Sequence, residues 1–355
     1  MIKVLIVEDS AAVREFLVHI LSSDPDIKVI GTTHNGEDAL QALKEVKPDV
    51  ITMDIHMPKM DGFEATRRIM ETSPTPTVIV TGSSDPREVG TTFRALEAGA
   101  LAVVPRPQGF GHPDFAATTK ELIQTVKLMS EIKVVRRWNS ARRMAWTSVP
   151  SGIKPTGASA EIEIVAMGAS TGGPIVLQTI LSQLPRDFSA PVVIVQHMAA
   201  GFTAGFVEWL NQTSHLPVHV PSHGDVMLPG HAYVAPEDFQ MGVKAKGRIA
   251  LTQDAPENGL RPSVSFLFRS LARVYGNKAA CVLLTGMGKD GAAELKEMKE
   301  HGAVTLVQDE ESSVVYGMPG EAVKLDAAVY VLSPEKITAA LQTLVKKESE
   351  NRYGA

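Results

Sequence analysis

Ser170 stands in the turn Gly168-Ala169-Ser170-Thr171-Gly172-Gly173, between an apolar run (Ile162 to Met167) and a helical pattern opened by Pro174 and closed by Pro185. A serine at a glycine-flanked strand-to-helix turn fits the G-x-S-x-G nucleophile pattern, and the first amides of the following helix can bind an anion there. Alone, such a turn also closes ordinary βα units or cradles a phosphate. Two further residues change its weight. His197 follows the apolar run Val192–Gln196, and Asp290 lies in the turn TGMGKDG (285–291) after the run 280–284. A serine hydroxyl needs an imidazole to take its proton, and the imidazole needs a carboxylate to fix its tautomer and stabilise its cation. Taken singly, His197 could be a structural histidine and Asp290 the cap of the helix after it. The backbone amides of Thr171 and Met287 are the expected oxyanion donors. His223, His231 and His301 lie in loops or at a helix end, and Asp254 and Glu257 are placed at the crevice rim. This half shows no metal-ligand spacing, so no cofactor is expected in it.

A second group is acidic. Glu8, Asp9 and Asp54 each follow an apolar run near the start of the chain. Three converging carboxylates repel one another unless a hard divalent cation sits among them. Thr81 and Arg106 end two further runs of the same region.

Both groups depend on strands to aim them. Residues 1–125 alternate five apolar runs (4–7, 27–30, 50–53, 77–80, 102–104) with helical patterns starting near Ala11, Gly36, Gly62, Pro86 and Pro113. Strict alternation implies a doubly wound parallel sheet with functional groups at the strands' carboxyl ends. Residues 126–160 read as a linker, basic at Lys127, Lys133, Arg136, Arg137, Arg142 and Arg143, then rich in Pro, Gly, Ser and Ala; Trp138 and Trp146 suggest docking. Residues 161–350 give a second α/β domain with strands near 192–196, 218–220, 232–234, 280–284, 303–307 and 329–332. A hairpin at 240–244 and 248–252 and helices at 262–275, about 292–299, near 321 and from Pro334 complete it. The chain has 355 residues, 44% apolar and 21% charged, with net charge −5 and a single cysteine, Cys281. That is globular composition, with no global attraction to nucleic acid or anionic membrane and no internal disulfide. No signal peptide and no spanning segment are read, so a cytoplasmic protein is expected.

The motifs VEDS (7–10) and MDIHMPKMDG (53–62), with Thr81 and Arg106-Pro107, resemble the receiver domain of a response regulator. The resemblance implies a flavodoxin-like domain in which Asp54 accepts a phosphoryl group from a histidine kinase. Mg²⁺ would be held by Glu8, Asp9, Asp54 and the backbone carbonyl of His56, with Thr81 and Arg106 as switch residues. Arg106 departs from the lysine usual at that position. The motifs MGASTGGP (167–174), VIVQHM (193–198), LPGHAYVAP (228–236), RPSVSFLF (261–268), LLTGMGKDG (283–291) and VVYGMP (314–319) resemble the catalytic domain of chemotaxis protein-glutamate methylesterases. That likeness implies a Rossmann-like domain hydrolysing methyl-esterified glutamates on chemoreceptor helices, often with glutamine deamidation. The receiver is then expected to regulate by covering the esterase crevice. Alternatives are a DNA-binding response regulator, which needs a basic recognition helix where 262–275 carries only Arg269 and Arg273, and a nucleotide-binding signalling protein, which lacks a P-loop lysine.

Overall fold

Valine- and isoleucine-rich runs bounded by Gly, Pro or Asp become strands buried on both faces, as parallel sheets require. The computed structural model describes residues 1–82, 92–132, 134 and 161–345. The helix expected near Pro86 and the linker tryptophans lie outside the described residues. The chain divides into two units, Met1–Trp146 and Thr147–Ala355.

The first unit contains β1 (Ile2–Val7), β2 (Ile27–Thr33), β3 (Val50–Met53), β4 (Thr77–Thr81) and β5 (Ala102–Pro105). They form one sheet in the order β2-β1-β3-β4-β5, every pair parallel. The winding reverses between β1 and β3, and a crevice opens beyond their carboxyl ends. Val7 pairs with Met53 there, so Glu8 and Asp54 are the next residues on adjacent strands. Asn35 and Asp61 start the helices Gly36–Ala42 and Gly62–Thr72 by accepting amide hydrogen bonds. The last helix of this unit, Phe115–Ser130, continues past residue 125. Lys127 on it meets Asp24 and Asp26, each at 2.8 Å, and so belongs to the folded unit.

The second unit contains β6 (Ile164–Ala169), β7 (Val192–Gln196), β8 (Val218–His219), β9 (Ala232–Val234), the hairpin β10–β11 (Gln240–Lys244, Arg248–Thr252), β12 (Ala279–Leu283), β13 (Val304–Gln308) and β14 (Tyr330–Leu332). Apart from the hairpin they make one parallel sheet, β14-β13-β12-β6-β7-β9-β8. The reversal falls between β6, which leads into Ser170, and β12, which leads into the turn with Asp290. One side of the sheet (Ile164, Ala166, Val193, Val195) packs on Val264, Leu267, Phe268 and Leu271 of the helix Val264–Val274, with Met241 and Ile249 of the hairpin behind. Gly168 permits that approach, since a Cβ there would stand 2.4 Å from Val264. The helix Thr203–Thr213 was not expected from the sequence. Its start carries no side-chain cap, and three of its apolar residues, Phe206, Val207 and Trp209, are aromatic or β-branched and read equally as strand. Among the described residues, no helix is long and apolar enough to cross a membrane.

Candidate active site

At the reversal of the second sheet the backbone fixes three segments side by side. The Ser170 amide donates to Thr285 O at 3.0 Å, and the His197 amide to Ala169 O at 2.9 Å. Gly172 has φ +79°, and a Cβ on it would meet Val314 at 2.6 Å. A Cβ on Gly286 would stand 2.6 Å from the Ser170 Cβ. The glycines of this turn are therefore what let Ser170 and the segment 285–288 touch.

His197 and Asp290 meet directly, Nε2 to Oδ2, at 2.9 Å. Asp290 is 2% exposed and accepts from Ser263 Oγ (2.7 Å), the Val264 amide (2.7 Å) and the Ser265 amide (3.2 Å). Burial opposes its ionisation, but the bond and charge of His197, then Ser263 and Ser265, outweigh it and hold its pKa well below the usual carboxylate range. An ionised carboxylate can only accept, so the proton of this bond sits on His197 Nε2, and Nδ1 is the ring nitrogen left outside it. Asp290 does cap a helix, although not the one after it. The helix Ala292–Glu300 starts at Gly291 without a side-chain cap, whereas Asp290 receives the amides that open Val264–Val274. Among the described residues no hydrogen bond joins the Ser170 hydroxyl to the His197 ring; such contacts are often long before substrate binds.

The Thr171 amide follows Ser170 in the chain and the Met287 amide follows Gly286, which lies against Ser170; both amides are unpaired among the described residues. Thr285 ties the two turns together, donating through Oγ1 to Thr171 O at 2.9 Å and receiving the Val315 amide at 3.0 Å. At the rim, Glu257 is engaged with Arg269 through two 2.8 Å bonds, and Asp254 holds the Thr252 hydroxyl. Arg269 also reaches Glu294 at 3.1 Å. Sequence reasoning missed Ser263, Gln196 and Thr285, polar residues whose only signal was burial inside otherwise apolar segments.

In the first unit, one oxygen each from Glu8, Asp9 and Asp54 lie within 4.8 Å of one another. Burial and the neighbouring Asp54 push Glu8 up to about 7; burial also raises Asp54. Groups so frustrated as anions, all hard oxygen donors, suit a divalent cation. His56 is exposed at the rim. Thr81 is buried, and the Arg106 amide donates to its carbonyl at 2.7 Å. The Arg106 guanidinium lies over Gly82, where a Cβ would fall 2.2 Å from it.

Comparison with known proteins gives the family of each unit. Residues 165–341 match the CheB methylesterase family and residues 4–112 the response regulator receiver domain. A protein-glutamate methylesterase/protein-glutamine glutaminase of Nitrosospira multiformis is 58% identical over 355 residues, all of both chains. A similarly named protein of Geobacter metallireducens is 56% identical, over 98% of this chain and all of that one. The crystal structure of the Thermotoga maritima CheB methylesterase catalytic domain aligns with a TM-score of 0.50 and 41% identity, covering 52% of this chain and 98% of that one.

Proposed function

Since this chain belongs to the CheB methylesterase family and carries a response regulator receiver domain, we propose that Ser170, His197 and Asp290 perform its ester hydrolysis. The enzyme is a protein-glutamate methylesterase/protein-glutamine glutaminase of chemotaxis signalling. Ser170 attacks the γ-carbonyl of a methylated glutamate while His197 Nδ1 takes the hydroxyl proton. The Thr171 and Met287 amides face the oxygen on which negative charge develops, an interaction whose loss typically costs roughly 10²–10³ in rate. Protonated His197 then returns its proton to the departing methanol. Water, deprotonated by the same nitrogen, releases glutamate from Ser170. Asp290 stays ionised and stabilises the imidazolium. With glutamine the same sequence releases ammonia.

The observation that carries this reading is the 2.9 Å contact of His197 Nε2 with Asp290, beside the strand end that presents Ser170. It gives the histidine one tautomer, with the basic nitrogen left for the serine. Ser170→Ala is expected to fold and to lose nearly all methanol release from methylated receptor; a variant as active as the native chain refutes the assignment.

In the receiver, Asp54 is the phosphoacceptor, with a histidine kinase as donor. Glu8, Asp9, Asp54 and the His56 carbonyl would hold Mg²⁺, which neutralises charge on the phosphoryl group in transit. Arg106 and Thr81 would then meet the phosphoryl oxygens. The substrate is the cytoplasmic helical region of methyl-accepting chemoreceptors, which places the protein in the cytoplasm. Among the described residues the helix Val264–Val274 does not support the DNA-binding alternative, because its Arg269 is held by Glu257 and Glu294.

A further inference from the structure

Gln196, the last residue of β7, is 4% exposed and lies between the two residues assigned to proton transfer. Its Nε2 donates to the carbonyl oxygen of Ser170 at 2.9 Å and to that of His197 at 2.7 Å. Main-chain pairing of the two strands ends one step earlier, with the His197 amide on Ala169 O. Beyond it the strands separate, and the Gln196 amide supplies the missing rung.

The other end of the same side chain has no such reward. Gln196 Oε1 is buried without a hydrogen-bond partner, pressed on Gly173 where a Cβ would fall 2.1 Å away. Turning the amide over does not relieve it, because two carbonyl oxygens would then face Oε1. A methionine of similar length would fill the space and remove the unpartnered Oε1, but would leave the His197 carbonyl without its donor, so what glutamine adds here is the pair of bonds from Nε2.

We propose that Gln196 is a positioning residue, clamping the Ser170 and His197 strand ends so that hydroxyl and imidazole can close to proton-transfer distance when substrate binds. The inference rests on the assignment of Ser170 and His197. It has a physical basis in the steepness of proton transfer with distance: a misplacement of about 1 Å can cost about 10²-fold.

The test uses the full chain, with methanol release from methylated receptor, labelling of Ser170 by a fluorophosphonate and the thermal unfolding midpoint as readouts. Gln196→Met is expected to lower kcat and the labelling rate roughly 10- to 100-fold with KM changed less than about twofold and the midpoint lowered only slightly, the lost bonds being partly offset by removal of the unpartnered Oε1. Gly173→Ala, whose Cβ would fall 2.1 Å from Gln196 Oε1 and 2.8 Å from the Ala169 Cβ, is expected to reproduce that kcat loss. It serves as the deciding variant should Gln196→Met fail to fold. A folded Gln196→Met with kcat within about threefold of native, or a loss explained by its folded fraction, overturns the clamp. Ser170→Ala run in parallel separates the two claims. If it is inactive and unlabelled while Gln196→Met is fully active, only the clamp falls; if it remains active, the triad assignment falls first.

Discussion

Asp290 owes its charge to donors from another element, and its chemistry follows from that. Its depressed pKa means the folded domain holds the ionised form more tightly than the unfolded chain does. The resulting stabilisation is present above the unfolded carboxylate pKa of about 3.9 and lost as pH falls through the folded value. Urea unfolding at pH 7 and pH 3 is expected to show this loss in the native esterase domain and a smaller one in Asp290→Asn, which also loses kcat because nothing then fixes the His197 tautomer. Glu8 has the opposite shift. With its pKa pushed up to about 7, it holds a proton below neutrality that a cation must displace. Mg²⁺-dependent phosphorylation by acetyl phosphate is therefore expected to weaken as pH drops from 8 to 6, and much less so in Glu8→Gln, already weak at both. Arg106 adds a third case, since its fork occupies the space above Gly82. Gly82→Ala is expected to reduce phosphorylation of the native chain several-fold and to be milder in Arg106→Lys, whose slimmer head leaves room for a methyl group; equal effects in both backgrounds would show the two positions to be independent.

The helix Val264–Val274 is the element on which the candidate site turns. Its first amides and Ser263 hold Asp290, and its buried face rests on the sheet at Gly168, two residues before Ser170. Gly168→Ala is expected to wedge Val264 away from β6. Overpacking of this kind costs typically about 1–3 kcal/mol. Both the unfolding midpoint and kcat should fall, whereas a cavity two turns further along the same buried face, such as Leu271→Ala, should lower the midpoint by more than it lowers kcat. The hairpin β10–β11 braces this helix, the Val243 amide donating to Ser270 Oγ at 3.0 Å. Its contribution to catalysis is therefore indirect.

At the scale of the molecule, two doubly wound sheets use the same device twice. Each gathers its reactive groups where the winding reverses: β1 against β3 for the carboxylates, β6 against β12 for the serine and aspartate. A phosphoryl group brings about −1.5 to −2 charge to Asp54. A small-molecule phosphodonor with Mg²⁺ is expected to raise methanol release from the native chain and to leave Asp54→Ala at its basal rate. An equal response of both would uncouple the receiver from the esterase.

Period-two and continuous apolar runs with glycine punctuation determined by themselves the two α/β units, their parallel sheets, and the strand ends bearing Glu8, Asp54, Ser170 and His197, because strand burial and turn chemistry are local properties of the chain. The uncapped helix Thr203–Thr213 escaped, its aromatic and β-branched residues fitting either period. Only the tertiary structure decided that Asp290 caps the helix before it in sequence rather than the one after, that His197 turns Nε2 rather than Nδ1 to Asp290, and that Gln196 bridges two strand ends. Those are contacts between segments tens of residues apart, set by which strands become neighbours, and no local spacing encodes them.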